Sequence, residues 1–152
     1  MANKVNSIDS SREIELNAAL ELMHFAYRAF TAGPDRILEG LGLQRVHHRI
    51  LYFVGRHPGI SVNGLLSILA VSKQALNAPL RQLLEMRLVD SQSAAVDRRV
   101  RELRLTSEGS HLEASLSGLQ RRSMDKVFRG AGEPAEAHWR MVMARIAGQP
   151  EG

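Results

Sequence analysis

The spacing of the apolar residues changes near Met86, and this change constrains the fold more than any other feature of the sequence. Between Ser61 and Met86 apolar residues recur at helical spacing in two runs, on either side of the short segment Ala70-Val71. Residues 88–92 and 99–105 instead have the character of two strands, separated by a small, polar tip. The sequence therefore predicts a helix–turn–helix followed directly by a two-stranded hairpin, which together form a winged helix.

Helical segments flank this lobe on both sides. Residues 11–30 contain no Pro or Gly, and their broad apolar stripe predicts a long helix that is N-capped among Asp9, Ser10 and Ser11 and ends near Gly33-Pro34. A connector over 35–42 and a helix over 44–56 precede the lobe. Two further helices follow Thr106, over 107–128 and 133–146. The first helix and these last two have more apolar surface than one chain can cover, so we expect a homodimer.

The expected fold is mainly α-helical with a small β-hairpin wing, and it has three parts. Residues 1–40 form an N-terminal dimerisation helix and connector. Residues 41–106 are expected to form a winged helix-turn-helix lobe, a motif that typically binds DNA. Residues 107–152 form C-terminal dimerisation helices. A chain of 152 residues suits one such compact unit.

The charge is concentrated in the middle of the chain. The net charge is +4, and residues 41–110 alone carry ten cations and five anions, or +5. A basic middle indicates an acidic partner such as DNA, although a solvated basic surface has the same composition. The chain has no Cys, which excludes disulfides and thiol chemistry. It shows neither a membrane span nor a signal peptide at the first residues, so we expect a cytoplasmic protein.

The second helix of the helix–turn–helix carries polar residues on one face. With its leucines turned inward, Lys73, Gln74, Asn77 and Arg81 point outward. Gln and Asn can pair with adenine, while Arg and Lys suit guanine or phosphate. Ser61 and Ser72 begin the two helices, where backbone N–H groups bind phosphate. A solvated helix face is the alternative explanation. Pro79 lies inside this helix, and we expect a kink there.

The predicted wing is basic. Its tip and returning strand carry Arg98, Arg99 and Arg101, which suit the negative potential of the DNA minor groove. Asp97 is expected to orient Arg99 or Arg101. A charged hairpin can also serve only to protect an exposed sheet edge.

These segments resemble the MarR family of bacterial transcription regulators. The resemblance lies in Asp97-Arg98-Arg99, in Leu105-Thr106-Ser-Glu-Gly109 and in the helix–turn–helix, and it extends over essentially the whole chain. It implies a homodimer that binds a pseudo-palindromic operator, with Arg99 as the minor-groove arginine. The chain departs from the family pattern at Arg87, where the family usually has Gly, and at Pro79.

The same resemblance implies a pocket for a small aromatic or phenolic anion between the dimer helices and the lobe. Cationic, imidazole and phenol side chains on the first two helices are the candidates: His24, Tyr27, Arg28, His48, Arg49 and Tyr52. The alternative is that these groups satisfy one another or the dimer interface, where such residues commonly collect. The scattered histidines indicate no metal site, and we expect no cofactor.

The sequence therefore predicts a DNA-binding transcriptional regulator, in particular a repressor that a ligand releases from its operator. No motif of an enzyme is present, and paired carboxylates fall in first helical turns. The alternative is a winged-helix adaptor that binds protein rather than DNA. An adaptor would carry apolar or acidic residues on the helix face that here carries Lys73 and Arg81.

Overall fold

The computed structural model describes residues 10–150, in six helices and three short strands. The possible N-cap Asp9 and the other residues of 1–9 lie outside the described residues. The elements are α1 Ser10–Gly40, α2 Arg45–Arg56, β1 Ile60–Ser61, α3 Val62–Leu69, α4 Lys73–Glu85, β2 Val89–Ser93, β3 Arg101–Leu105, α5 Ser107–Ala131 and α6 Glu133–Ala147. The expected mainly helical, winged architecture is confirmed. None of the described helices is long and apolar enough to cross a bilayer.

The first helix does not end near Pro34 as the sequence predicted. It continues to Gly40, so most of the expected connector is helical. Proline has no N–H for the carbonyl of Phe30 four residues earlier. The side chain of Gln120 on α5 donates to that carbonyl instead, at 3.4 Å. The added turns carry Leu38 into the core, where it is fully buried. Packing against α5 and the core therefore outweighs the local cost of the proline.

The winged lobe has one strand more than the sequence indicated. β3 lies in the middle of an antiparallel sheet, with β2 on one side and β1 on the other. β1 pairs Ile60 with Leu103 and Ser61 with Glu102. Two residues are too few to show an alternating pattern, so this strand could not be predicted from periodicity. The strand attaches the start of α3 to the base of the wing.

The helix α4 runs unbroken across Pro79. Leu76, Leu80 and Leu83 remain on one buried face on both sides of the proline. The helix ends at Arg87, which has a φ of 56° and therefore adopts the left-handed conformation that usually favours glycine. The Leu88 amide then donates to the Leu83 carbonyl at 3.0 Å. Arg87 thus ends α4 in the left-handed conformation, at the position where the family that the sequence resembles usually has glycine.

The start of α5 is locked against the end of α4. Thr106 accepts a hydrogen bond from the Gly109 amide at 3.0 Å and donates from its hydroxyl to the Arg87 carbonyl at 2.7 Å. A Cβ atom on Gly109 would lie 1.9 Å from the Leu88 carbonyl oxygen. The Thr-x-x-Gly segment therefore has a packing role, because only glycine permits this close approach.

The buried core lies in the lobe and in the parts of α1 and α5 that pack against it. The largest fully buried side chains come from α1, α2, α3, α4, α5 and the sheet: Leu38, Ile50, Leu51, Leu65, Leu76, Leu83, Leu103, Leu116, Val54 and Val89. In contrast, every residue of 11–30 is exposed, and no residue of 133–147 is buried. The core thus supports the lobe and does not extend to residues 11–30 or to α6.

Candidate nucleic-acid interface

The polar face predicted for the second helix of the motif is exposed on α4. Lys73, Gln74, Asn77 and Arg81 are all exposed, opposite the buried leucines. The Ser72 hydroxyl caps the helix by accepting from the Ala75 amide at 3.1 Å. We call the four exposed side chains of this face the α4 face. It presents two cations and two amides with no acidic residue among them, a set suited to phosphate and to base edges.

The helix α3 begins in the same way. The Ser61 hydroxyl accepts from the Gly64 amide at 3.0 Å. Ser61 is only partly exposed, because it also belongs to β1. Both predicted phosphate-binding serines therefore act as N-caps in the structure. A cap uses the hydroxyl oxygen as an acceptor and leaves its hydrogen available for another acceptor.

The wing holds Arg99 in a defined orientation. Asp97 accepts from the Arg99 amide at 3.0 Å and from the guanidinium Nε at 3.2 Å. These two hydrogen bonds lower the pKa of Asp97 below its ordinary value. The Arg99 side chain is 92% exposed despite this contact, and Arg98 beside it is also exposed. Asp97 thus contacts Arg99, one of its two expected partners, and steadies a cation that projects into solvent.

Arg101 is exposed but is tied to the neighbouring strand. Its guanidinium donates to the Ser91 hydroxyl at 3.0 Å, to the Ser91 carbonyl at 2.8 Å and to the Ser93 hydroxyl at 3.0 Å. Each of its three nitrogens is therefore used within the wing. This arrangement stiffens the hairpin and distinguishes Arg101 from the exposed Arg99, which contacts Asp97.

A cleft of about 670 Å³ lies between α1, α2, α5 and α6. It brings together four of the six predicted ligand-binding residues, namely Tyr27, His48, Arg49 and Tyr52. His24 and Arg28 lie on the exposed part of α1 and do not line it. The cleft also has side chains that the sequence did not indicate: Arg45, Arg56, Gln120, Arg121, Phe128 and Arg140. These side chains come from α2, α5 and α6 and meet because the three helices pack together. The spacing of residues within one helix therefore could not have predicted that they line one cleft.

The charges at the cleft are partly paired. Arg45 makes a bidentate contact with Asp35, 2.7 Å at its shortest, which raises the pKa of Arg45 above its ordinary value. The same guanidinium lies 5.2 Å from the centre of the Tyr27 ring. Arg140 pairs with Glu136 at 2.7 Å. The walls thus combine aromatic faces with guanidinium groups, the chemistry that suits an aromatic anion.

The histidine His48 forms part of the cleft wall and is buried. Its Nε2 lies 3.1 Å from the hydroxyl of Ser117 on α5. Burial lowers the pKa of His48, and the negative charges of Glu113 and Asp35 oppose this shift in part. The lowered pKa favours the uncharged imidazole at neutral pH.

Comparison with known proteins supports the architecture along most of the chain. A family model described as the MarR family matches residues 41–100. The HTH-type transcriptional regulator PetP of Rhodobacter capsulatus is 46% identical over 129 residues, which are 85% of this chain and 78% of that protein.

Solved structures have the same fold. The crystal structure of MarR has a TM-score of 0.63 at 25% identity, over 88% of this chain and 95% of that one. The structure of FabT from Streptococcus pneumoniae in complex with DNA has a TM-score of 0.75 at 17% identity, over 88% and 95% of the two chains. The second likeness concerns the fold alone.

Proposed function

Because the chain belongs to the MarR family of transcriptional regulators, we propose that it binds a specific double-stranded DNA operator through the α4 face and the wing. The observation that carries this proposal is the exposure of Lys73, Gln74, Asn77 and Arg81 on one helix beside a wing with a steadied Arg99. Helix α4 would enter the major groove, and Arg99 the adjacent minor groove. FabT, which shares the fold, has been solved in complex with DNA.

We propose further that the chain acts as a homodimer on a pseudo-palindromic site. The exposed apolar residues of α1 and α6 support this, among them Leu20, Phe25, Trp139 and Ile146. Exposure of large apolar surface is unfavourable in water and is relieved when a second copy covers it. Two copies would present two α4 faces to two half-sites. Such a regulator of genomic DNA would act in the cytoplasm.

A repressor that an aromatic or phenolic anion releases is the form of regulation we propose. The cleft supports this because Tyr52, Arg49 and His48 line one wall while Arg121 and Arg140 line the other. A carboxylate or phenolate would bind the guanidinium groups, and its ring would stack against the aromatic side chains. Filling the cleft would change how α1 and α5 pack against the lobe.

Selection of DNA from a random pool, with and without a panel of aromatic acids, tests these proposals together. We expect a two-fold symmetric consensus, and weaker recovery when an active acid is present. No enrichment above a random pool would overturn sequence-specific binding and favour the adaptor. Enrichment that no acid alters would overturn only the ligand-released repressor.

Salt titrations of the selected operator distinguish the roles of two arginines within the wing. Arg99→Ala is expected to lower the slope of log K against log salt by about one for each phosphate that the side chain neutralises in the wild type. Arg101→Ala is expected to weaken binding with less change in slope, because its nitrogens are used by Ser91 and Ser93. Wild-type affinity for Arg99→Ala across the titration would contradict the role assigned to Arg99.

A further inference from the structure

Two adjacent histidines at the start of α2 face different parts of the molecule. His47 and His48 are both buried, with 4% and 8% of their surface exposed. Successive residues of an α-helix point about 100° apart, so their rings cannot share one environment. His48 faces α5 and the cleft, whereas His47 faces α4. The first turn of α2 therefore lies between the cleft and the helix that carries the α4 face.

The ring of His47 forms a chain of hydrogen bonds that ends on α4. Its Nδ1 accepts from the Gln44 amide at 2.9 Å, so the proton of the uncharged ring lies on Nε2. That Nε2 is 2.9 Å from Gln82 Oε1. The amide nitrogen of Gln82 in turn lies 3.3 Å from the Gly42 carbonyl, to which it donates. Gln82 thus joins α4 to α2 and to the loop after α1 through both ends of its amide.

The two histidines also share an anchor in the backbone. The amides of His47 and His48 both lie within hydrogen-bonding distance of the Gln44 carbonyl, at 3.0 and 3.4 Å. A displacement of His48 therefore moves the same helical turn that places the His47 ring. Gln82 directly follows Arg81 of the α4 face, so the hydrogen bonds of Gln82 hold the same turn of α4 that carries Arg81.

We propose that Gln82 is a positioning residue for α4, and that its hydrogen bond to His47 depends on which group lies beside His48 in the cleft. The two adjacent histidines are the connection between the cleft and Gln82. This inference rests on the proposed DNA-binding function. It goes beyond it by naming the side chains that link the two sites. A group in the cleft that takes the place of Ser117 beside His48 would shift the first turn of α2. The His47–Gln82 hydrogen bond would then weaken, and α4 would lose a support on that side.

A double-mutant cycle on operator affinity tests the link without any ligand. Gln82→Met removes both hydrogen bonds at similar volume, and Ser117→Ala removes the hydroxyl beside His48. These two residues bond to different histidines, so independent sites would give additive effects. We expect the double variant to depart from additivity by about threefold or more in Kd, within the range measured for coupled residues. The salt slope of Gln82→Met should equal that of the wild type, because the amide neutralises no phosphate.

Ser115→Ala is the matched control for this cycle. Ser115 lies two residues earlier on α5, is exposed, and donates to the His111 carbonyl of its own helix at 2.9 Å. Combined with Gln82→Met it should give additive effects. Additivity for Ser117→Ala as well, with operator binding intact, would overturn the proposed link alone. Failure of the wild type to bind any selected DNA would instead overturn the proposed function.

An imidazole NMR spectrum gives a second readout that does not need a folded Gln82 variant. In Ser117→Ala the ¹⁵N resonances of His47 should shift together with those of His48, although the deleted hydroxyl lies beside the ring of His48. In Ser115→Ala neither ring should shift. A shift of His48 alone would show that the two rings respond independently, and it would overturn the proposal.

Discussion

The lobe and the two ends of the chain use apolar residues in opposite ways. In α4, a helix of 13 residues, three leucines are buried, and the four side chains of the α4 face are exposed. Over 11–30 of α1, a longer stretch, every residue is exposed, including Ile14, Leu20 and Phe25. The lobe is thus stabilised by a core that it shares with the end of α1 and with α5, whereas residues 11–30 present apolar surface that the other described residues leave exposed. Stability and assembly should therefore respond to different substitutions.

Gly109→Ala should have the largest effect on the lobe. The added Cβ would overlap the Leu88 carbonyl oxygen, which is backbone and cannot move without opening the contact between α4 and α5. We expect a loss of about 4 kcal/mol in the free energy of unfolding, or no folded protein, since this lies at the upper end of single substitutions. Urea unfolding followed by circular dichroism measures it.

A second glycine of the same helix is the control. Nothing lies within 4 Å of a Cβ on Gly130, so Gly130→Ala should stabilise α5 by about 0.5–1 kcal/mol through the helix preference of alanine. Equal stabilities for the two variants would show that the close approach at Gly109 is not needed.

Leu20→Ala tests whether a second copy covers the exposed apolar surface of α1. Leu20 is 69% exposed in the single chain, so its truncation should leave the lobe intact. If a second copy covers it, each dimer loses two buried side chains, and association should weaken by about 3 kcal/mol. Sedimentation over a range of concentrations measures the shift. Glu21→Ala, an exposed neighbour, should leave association unchanged, and a dimer equally stable in Leu20→Ala would place the interface elsewhere.

Sequence reasoning succeeded where one short segment determines its own structure. The caps at Ser61, Ser72 and Thr106 and the leucine face of α4 follow from residue type and spacing, and the structure has them all. It failed at Pro34, because Gln120 supplies the missing donor from a residue far along the chain.

The cleft shows the same limit. All six residues that the family resemblance implied lie on α1 and α2, and four of them line the cleft, whereas His24 and Arg28 do not. Arg121 and Arg140 come from α5 and α6, and their approach depends on how these helices pack. Two adjacent histidines gave no sign in the sequence that one would face Gln82 and the other Ser117.

The stability of the folded chain should fall in mild acid because of His48. Its pKa is lowered by burial, so the unfolded chain takes up a proton as the pH falls below the ordinary value of 6.5, while the native state resists it. The loss of stability should begin below that pH and continue toward the lower native pKa. Thermal unfolding at pH 7.5 and pH 5.5, on the two sides of that value, measures it. His48→Gln should reduce the difference, whereas His111→Gln, at an exposed site, should not.

Arg87→Gly should have the smallest effect, and its direction is the opposite of most substitutions. Arg87 adopts a left-handed conformation at the end of α4, which is strained by about 1 kcal/mol or more for a residue with a side chain. Glycine removes this strain but gives the unfolded chain more freedom, so the net gain should be about 0.5 kcal/mol. Only the backbone carbonyl of Arg87 bonds to Thr106, so the packing against α5 survives the change. A clear loss of stability in urea would mean that the arginine side chain itself supports the lobe. The stability of the lobe would then depend on its exposed surface as well as on its buried core.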